Sequence, residues 1–238
     1  MNFHVKIDIF YKRTSNKSNS QDGSEFSKII TKGFVISERV TLTAPANTQH
    51  DVLLNFLKSK EAWIRDKIQR VSSKKIEVRT GSFIPIMGNK AEVKLCSNAS
   101  SVKSISKSLL VPSKVANRGL AIENYLKKLA REELTELADY YCSKLGVSYC
   151  SLKLRDTRSR WGSCSSTSNL MFSWRLIMAP KNVIKYLVAH EVSHLKHFNH
   201  SKDFWSEVYH LFGPYQNERK WLRNEGANLH FYNFRVDQ

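Results

Sequence analysis

The stretch "AHEVSHLKHFNHSKDFW", Ala189 to Trp205, places His190, His194, His197 and His200 in one short segment of a chain with eight histidines in all. His190-Glu191-Val192-Ser193-His194 is an H-E-x-x-H sequence. Residues four apart share one helix face about 6 Å apart, so two imidazoles can converge on one ion. Glu191 lies one position round, beside the metal, where it can take a proton from a water on zinc. Val183, Leu187, Val188 and Leu195 make this a largely buried helix. Histidines and a glutamate there would be costly without partners, which favours a metal over a solvated helix face. A catalytic zinc needs a third protein ligand and an open position. His197 and His200 compete for that role. On a continuous helix His197 lies two turns from His190, about 10.5 Å along the axis. His200 lies beyond Asn199, where the helix can end and the chain bend back, so geometry favours His200. His197 reads as a surface or supporting residue.

Working outward, Pro180 opens the histidine helix, which is expected to run to about Phe198. Ser201 caps a following helix, "KDFWSEVYHLF", that stops at Gly213-Pro214. A last helix is expected around "NERKWLRNEG". Upstream, "NLMFSWRLIM" reads as a strand with Leu170, Phe172, Trp174 and Leu176 on one face, "SRWGSCSS" as a loop with a glycine turn, and "YCSLKLRD" as a short strand. "IENYLKKLAREELTELADYYCSKLG" repeats Ile122, Leu126, Leu129, Leu137, Tyr141 and Leu145 at helical spacing and ends at Gly146. The first half is mainly strand: "FHVKIDIFY", "FVISERVTLTAP" and "IEVRTGSFIPIMGNKAEVKLC", the last with turns at Gly81 and Gly88-Asn89. One helix, "VLLNFLKSKEAWIRDKIQRV", interrupts it. That helix opens on a Thr48–Asp51 capping spacing, with Leu53, Phe56, Leu57, Ile64 and Ile68 in register. "SNKSNSQDGS" reads as a polar loop and the Ser-rich "SNASSVKSISKS" as a mobile connection. The expectation is an α+β chain: an N-terminal, mainly β region with a helix over residues 1–116, then a helical and β domain over 117–238.

Lys and Arg number 38 against 21 Asp and Glu, a formal net charge of +17. Such an excess suits nucleic acid, acidic protein or an anionic surface, although scattered lysines alone can produce it. No apolar run is long enough to span a membrane, and "MNFHVKIDIFYKRT" does not read as a secretion signal, so the cytoplasm is the expected location. Cys96, Cys142, Cys150 and Cys164 show no C-x-x-C spacing. They are expected to be reduced thiols rather than a disulfide framework or a zinc site. The sequence sets no oligomeric state.

Through "LRDTRSRWGSC", "WRLIMAP", "HEVSHLKHFNHSKDFW" and "GPYQNERKWL" the chain resembles the YgjP-like metallopeptidases, relatives of the WLM and SprT/Spartan zincins. "RVTLTAP" followed by "FLKSKEAWI" is similar to that family's lead-in. The polar stretch near 15–24 and the Ser-rich stretch near 97–108 depart from it. The resemblance implies a zincin-like metallopeptidase domain over 117–238, with His190, His194 and His200 on zinc and Glu191 as base. It also implies that "RWGSC" belongs near the site. Arg160 can contact an anionic group and Trp161 can stack on a substrate, although bracing of the loop is the favoured role for both. Phe204 and Trp205 are expected to hold the third-ligand turn. Tyr209, Tyr215 and Arg219 are candidates for binding substrate or a developing oxyanion.

The leading expectation is therefore hydrolysis of a protein or peptide by a water that zinc activates and Glu191 deprotonates. "NLMFSWRL" is expected to pair with an extended substrate by β-addition. A nucleotide phosphohydrolase using Arg155, Arg158 and Arg160 on the phosphates is the first alternative. A DNA-associated protease is the second, and a zinc-stabilised binding module without catalysis is the third.

Overall fold

A computed structural model describes residues 6–12, 30–32, 39–45, 48–72 and 75–235. The polar loop expected near 15–24 and residues 34–38 of the second expected strand lie outside them. The chain divides into two compact units, Met1–Lys75 and Ile76–Gln238.

In the first unit, β1 (Lys6–Lys12), β2 (Ile30–Lys32) and β3 (Arg39–Pro45) form a sheet of order β1-β3-β2, followed by α1 (His50–Ser72). β1 runs parallel and β2 antiparallel to the central β3. Leu42 and Ala44, two apart on one strand face, meet Leu53 and Phe56, three apart on one helix face, in a small core. Ile64 is buried as its spacing predicts. The side chain of Ile68 lies outside the described residues.

The second unit begins with β4 (Ile76–Glu77), β5 (Phe83–Ile86), β6 (Asn89–Cys96), β7 (Lys103–Ile105) and β8 (Ser108–Pro112). The last four form a sheet of order β5-β6-β8-β7, with β6 and β8 parallel. Met87 and Gly88 join β5 to β6 in a two-residue turn with both φ positive, 48° and 82°, the requirement of a tight hairpin. The Ser-rich stretch is not a bare connection, because it contains β7, paired antiparallel with β8. β7 is an exposed edge strand, where serine and lysine are tolerated, and its order comes from the apolar neighbour rather than its own composition.

α2 (Arg118–Leu145) is capped by Asn117, whose side chain accepts from the Leu120 N–H at 2.8 Å, and ends at Gly146 with φ 67°. β9 (Ser151–Arg155), β10 (Gly162–Cys164) and β11 (Asn169–Ser173) form a second sheet of order β10-β11-β9. "WGSC" is thus part strand rather than loop. The strand expected through Met178 stops at Ser173, and Trp174–Met178 is a 3-10 turn. Trp174, Leu176, Ile177 and Met178 are all buried, so that run has no solvent face to set strand alternation. α3 (Lys181–Ser193), α4 (Lys202–Phe212) and α5 (Gln216–Asn224) follow, then a 3-10 turn at Gly226–His230 and β12 (Tyr232–Asn233), which pairs with β4.

Ile84, Val93, Leu109 and Val111 of the four-stranded sheet share one core with Ile122, Leu126 and Leu134 of α2, Leu170 and Phe172 of β11, and Ile184 and Val188 of α3. The boundary expected at 116–117 runs through this core, whereas the division found lies between Lys75 and Ile76. No helix among the described residues is long and apolar enough to cross a membrane.

Candidate metal centre

α3 is fixed by its apolar face and by its start. Pro180 is its N-cap, and the Met87–Gly88 turn locks onto that start. Met87 N–H donates to the Ile177 carbonyl at 2.7 Å, and a Cβ at Gly88 would lie 3.0 Å from Pro180 Cα. The helix ends at Ser193, short of the expected Phe198. Leu195 N–H reaches the Val192 carbonyl and Lys196 N–H the Ser193 carbonyl, tightening the last turn, while Ser193 Oγ donates to the Ala189 carbonyl at 2.8 Å. His194 Nδ1 meets the His197 carbonyl at 3.0 Å across the bend. Ser201 Oγ then accepts from the Phe204 N–H at 3.4 Å and opens α4. The early bend is what returns His200 to the helix.

One ring nitrogen each of His190, His194 and His200 lies within 4.8 Å of the others. His190 Nε2 and His200 Nε2 face each other at 3.2 Å. With its Nδ1–H donated to the His197 carbonyl, His194 keeps a lone pair on Nε2, the state a metal needs. His197 is outside the cluster. Its Nε2 lies 3.8 Å from Glu207 Oε2, which also takes Lys196 Nζ at 2.9 Å. Phe204, fully buried, packs against all three imidazoles, with centroids 4.4 Å from His194, 4.7 Å from His200 and 4.9 Å from His190. Trp205 stacks on His200 at 5.5 Å.

Burial, then the neighbouring His194 and His200 and the Arg219 charge, push His190 down to about 3. Burial likewise lowers His194, opposed by its bond to the His197 carbonyl. These rings are neutral near pH 7 and can hold a metal. Glu191 is buried, and burial raises its carboxyl to about 8, partly offset by Arg160. Its wall is Gly162 of β10, where an added Cβ would lie 2.6 Å from Glu191 Oε1. Only glycine lets that strand approach so closely. The sequence reading saw Gly162 as a turn residue and missed this contact. No local pattern reveals it, because it joins two elements distant in sequence.

The remaining candidates separate. Arg160 is exposed and faces Glu191 electrostatically. Trp161 is half-buried, tilted against His230 with ring centroids 5.1 Å apart and pressed against Gly226, a bracing position. Tyr215 stacks between Tyr186 and Trp205, and the Arg219 guanidinium lies 4.8 Å from the Trp205 ring centroid. Tyr209 is exposed on α4. Arg158 acts on Asp156 and His230, and Arg155 lines a groove beside Asp156. The three arginines considered for phosphate therefore do not act on one place. β11 lies between β10 and β9, so its two edges are occupied and the expected β-addition to it is not possible. Among the described residues, the outer strand of this sheet beside Glu191 is β10. All four cysteines are free, and burial, then Glu191, raises Cys164 to about 11, an unreactive thiol.

Behind Trp161 is a network the sequence did not disclose. Arg175 donates through Nε to Asp156 at 2.7 Å and through Nη2 at 3.2 Å, and its Nη1 holds the carbonyls of Leu229 and Tyr232, each at 3.1 Å. The same guanidinium lies over Trp174 at 4.7 Å.

The sequence model of the family described as "YgjP-like, metallopeptidase domain" matches residues 33–225. No curated protein matches the chain. Among solved structures, the metallopeptidase zymogen of Methanocaldococcus jannaschii jannalysin is similar at 18% identity and TM-score 0.33, over 38% of this chain and 89% of that one.

Proposed function

The chain belongs to the YgjP-like metallopeptidase family, and from that premise we propose that it is a zinc-dependent peptidase with His190, His194 and His200 as ligands and Glu191 as general base. The observation that carries this is the convergence of three imidazoles, two of them held neutral by burial, next to the buried Glu191. Two nitrogens bound tetrahedrally to one zinc are about 3.3 Å apart, and the His190–His200 pair fits that spacing at 3.2 Å. An all-imidazole donor set suits zinc and leaves a fourth position open. A zinc ion there supplies Lewis acidity, polarising a carbonyl and making water acidic near neutrality.

The rest of the work belongs to the chain. Glu191, buried next in sequence to His190, takes the proton of the attacking water on its carboxylate and returns it to the leaving amine. Gly162 keeps the Glu191 carboxylate against β10, and the outer edge of that strand offers main-chain hydrogen bonds to an extended protein segment. Arg219, held on Trp205 and acting on His190, and Tyr215, stacked beside it, are the groups to bind substrate or a developing oxyanion. Arg160 serves an anionic group near Glu191. The nucleotide reading is weaker, because Arg155 and Arg158 act elsewhere.

The test is hydrolysis of a casein-like protein by the zinc-loaded chain, with a nucleoside triphosphate assayed in parallel. Glu191→Gln is expected to lose about 10³-fold in turnover while keeping its metal. Proteolysis unchanged in that variant, or phosphate release without proteolysis, overturns the proposal.

A further inference from the structure

β9 is the edge of its sheet away from the metal centre, since β10 borders Glu191 and β11 lies between. Beside β9, and entirely within the second unit, is an open groove of about 600 Å³ floored by the buried Trp174. Five cations line it: Lys127, Lys128 and Arg131 from α2, Arg155 from β9, and Arg235 from the C-terminal segment. Among the described residues only two carboxylates accompany them, and both are already engaged. Glu123 is buried, with Lys127 Nζ at 2.5 Å and Arg235 at 3.9 Å, and Asp156 is held by Arg175. Arg131 and Arg155 pair with no carboxylate among the described residues, and Lys128 makes only an exposed 3.9 Å pair with Glu132. The groove carries a positive charge that the described residues do not neutralise.

From this we infer that the β9–α2 groove is a docking site for the phosphate backbone of nucleic acid. Guanidinium groups match phosphate oxygens as bidentate donors, and an open basic channel follows a polyanion without reading bases. An acidic peptide is the poorer occupant. It would gain most of its affinity by adding to the β9 edge, and Arg131 Nη1 already donates to the Leu152 carbonyl on that strand. The net charge of +17 adds long-range attraction that grows with the charge density of the partner, which is greatest for nucleic acid. Across three strands the groove and Glu191 are separated by at least about 10 Å. Docking thus leaves the metal centre open, and the inference does not depend on the chemistry proposed for that centre.

The test uses the full chain, a labelled duplex DNA and its single strand, and fluorescence anisotropy over a range of salt concentrations. Lys128→Glu with Arg155→Glu removes two groove cations that make no buried contact. This pair is expected to weaken binding by about tenfold or more and to flatten the dependence of log affinity on log salt by roughly two. Arg131→Ala gives a second, independent weakening, with thermal melting to verify that it is folded. Lys90→Glu with Lys107→Glu, an equal charge change on the four-stranded sheet, is expected to alter affinity far less. Equal losses from the two double variants would reduce the effect to a dispersed basic coat and overturn the proposal. Absence of DNA binding, with polyglutamate bound in the groove instead, would also overturn it, in favour of an acidic protein partner.

Discussion

At the scale of single residues, the account rests on a few close approaches. Gly162 has no room for a methyl group, since the nearest atom of Glu191 would be 2.6 Å away. Gly162→Ala is expected to displace Glu191, the proposed base, without touching a proposed ligand. Turnover should fall by about 10²-fold with metal content unchanged, and stability by about 1–3 kcal/mol. Loss of metal in that variant would instead mean that β10 supports the histidines. The burial of Glu191 also has a pH signature in the metal-free protein. Its folded carboxyl is raised from 4.5 to about 8, so its contribution to stability is full below 4.5 and is lost as pH rises through 8. His190, lowered from 6.5 to about 3, contributes above 6.5 and loses that contribution as pH falls through 3. Between pH 5 and 8 the melting temperature of metal-free wild type should therefore decline relative to that of Glu191→Gln, and parallel curves would contradict the assignment. The histidines were legible because H-E-x-x-H encodes helix geometry within five residues. Gly162 was not, because its constraint comes from another element.

At the scale of elements, the decisive event is the end of α3. The spacing predicted a helix to about Phe198, but the last turn tightens at Ser193 and turns His197 toward Glu207. His200 was favoured on the argument that the chain bends after Asn199. The chain bends earlier, and His200 joins the cluster by that route. The strand–turn boundary at Ser173 was illegible for a different reason, since Trp174, Leu176, Ile177 and Met178 are all buried and no apolar–polar alternation marks the change. Arg175 in that turn ties the Gly226–Asn233 segment to Asp156. Arg175→Ala should cost about 2 kcal/mol by leaving two carbonyls and a carboxylate unpaired, less than a deeply buried pair because Asp156 is half exposed. Arg175→Lys should recover little, because one ammonium cannot make the four contacts of a planar fork. Chemical denaturation measures both, and full rescue by lysine would show that charge alone matters there.

At the scale of the whole molecule, the placement of the boundary has a direct consequence. Ile84, Val93, Leu109 and Val111 belong to the core that carries α3, so a fragment beginning at residue 117 lacks one wall of it. The fragment 76–238 is expected to unfold cooperatively and bind metal. The fragment 117–238 is expected to lack a cooperative transition by circular dichroism and calorimetry. A cooperative, metal-binding 117–238 fragment would restore the boundary read from composition. That reading divides the chain where a strand-rich stretch gives way to a helix-rich one, whereas strands and helix here share one core. The α+β class itself was legible from periodicity. The most direct measurement is bound metal per chain, determined for purified wild type, His197→Ala and His200→Ala after zinc is supplied. About one zinc in wild type and His197→Ala, with none in His200→Ala, is the predicted result. Metal retained in His200→Ala, or absent from folded wild type, would contradict the account.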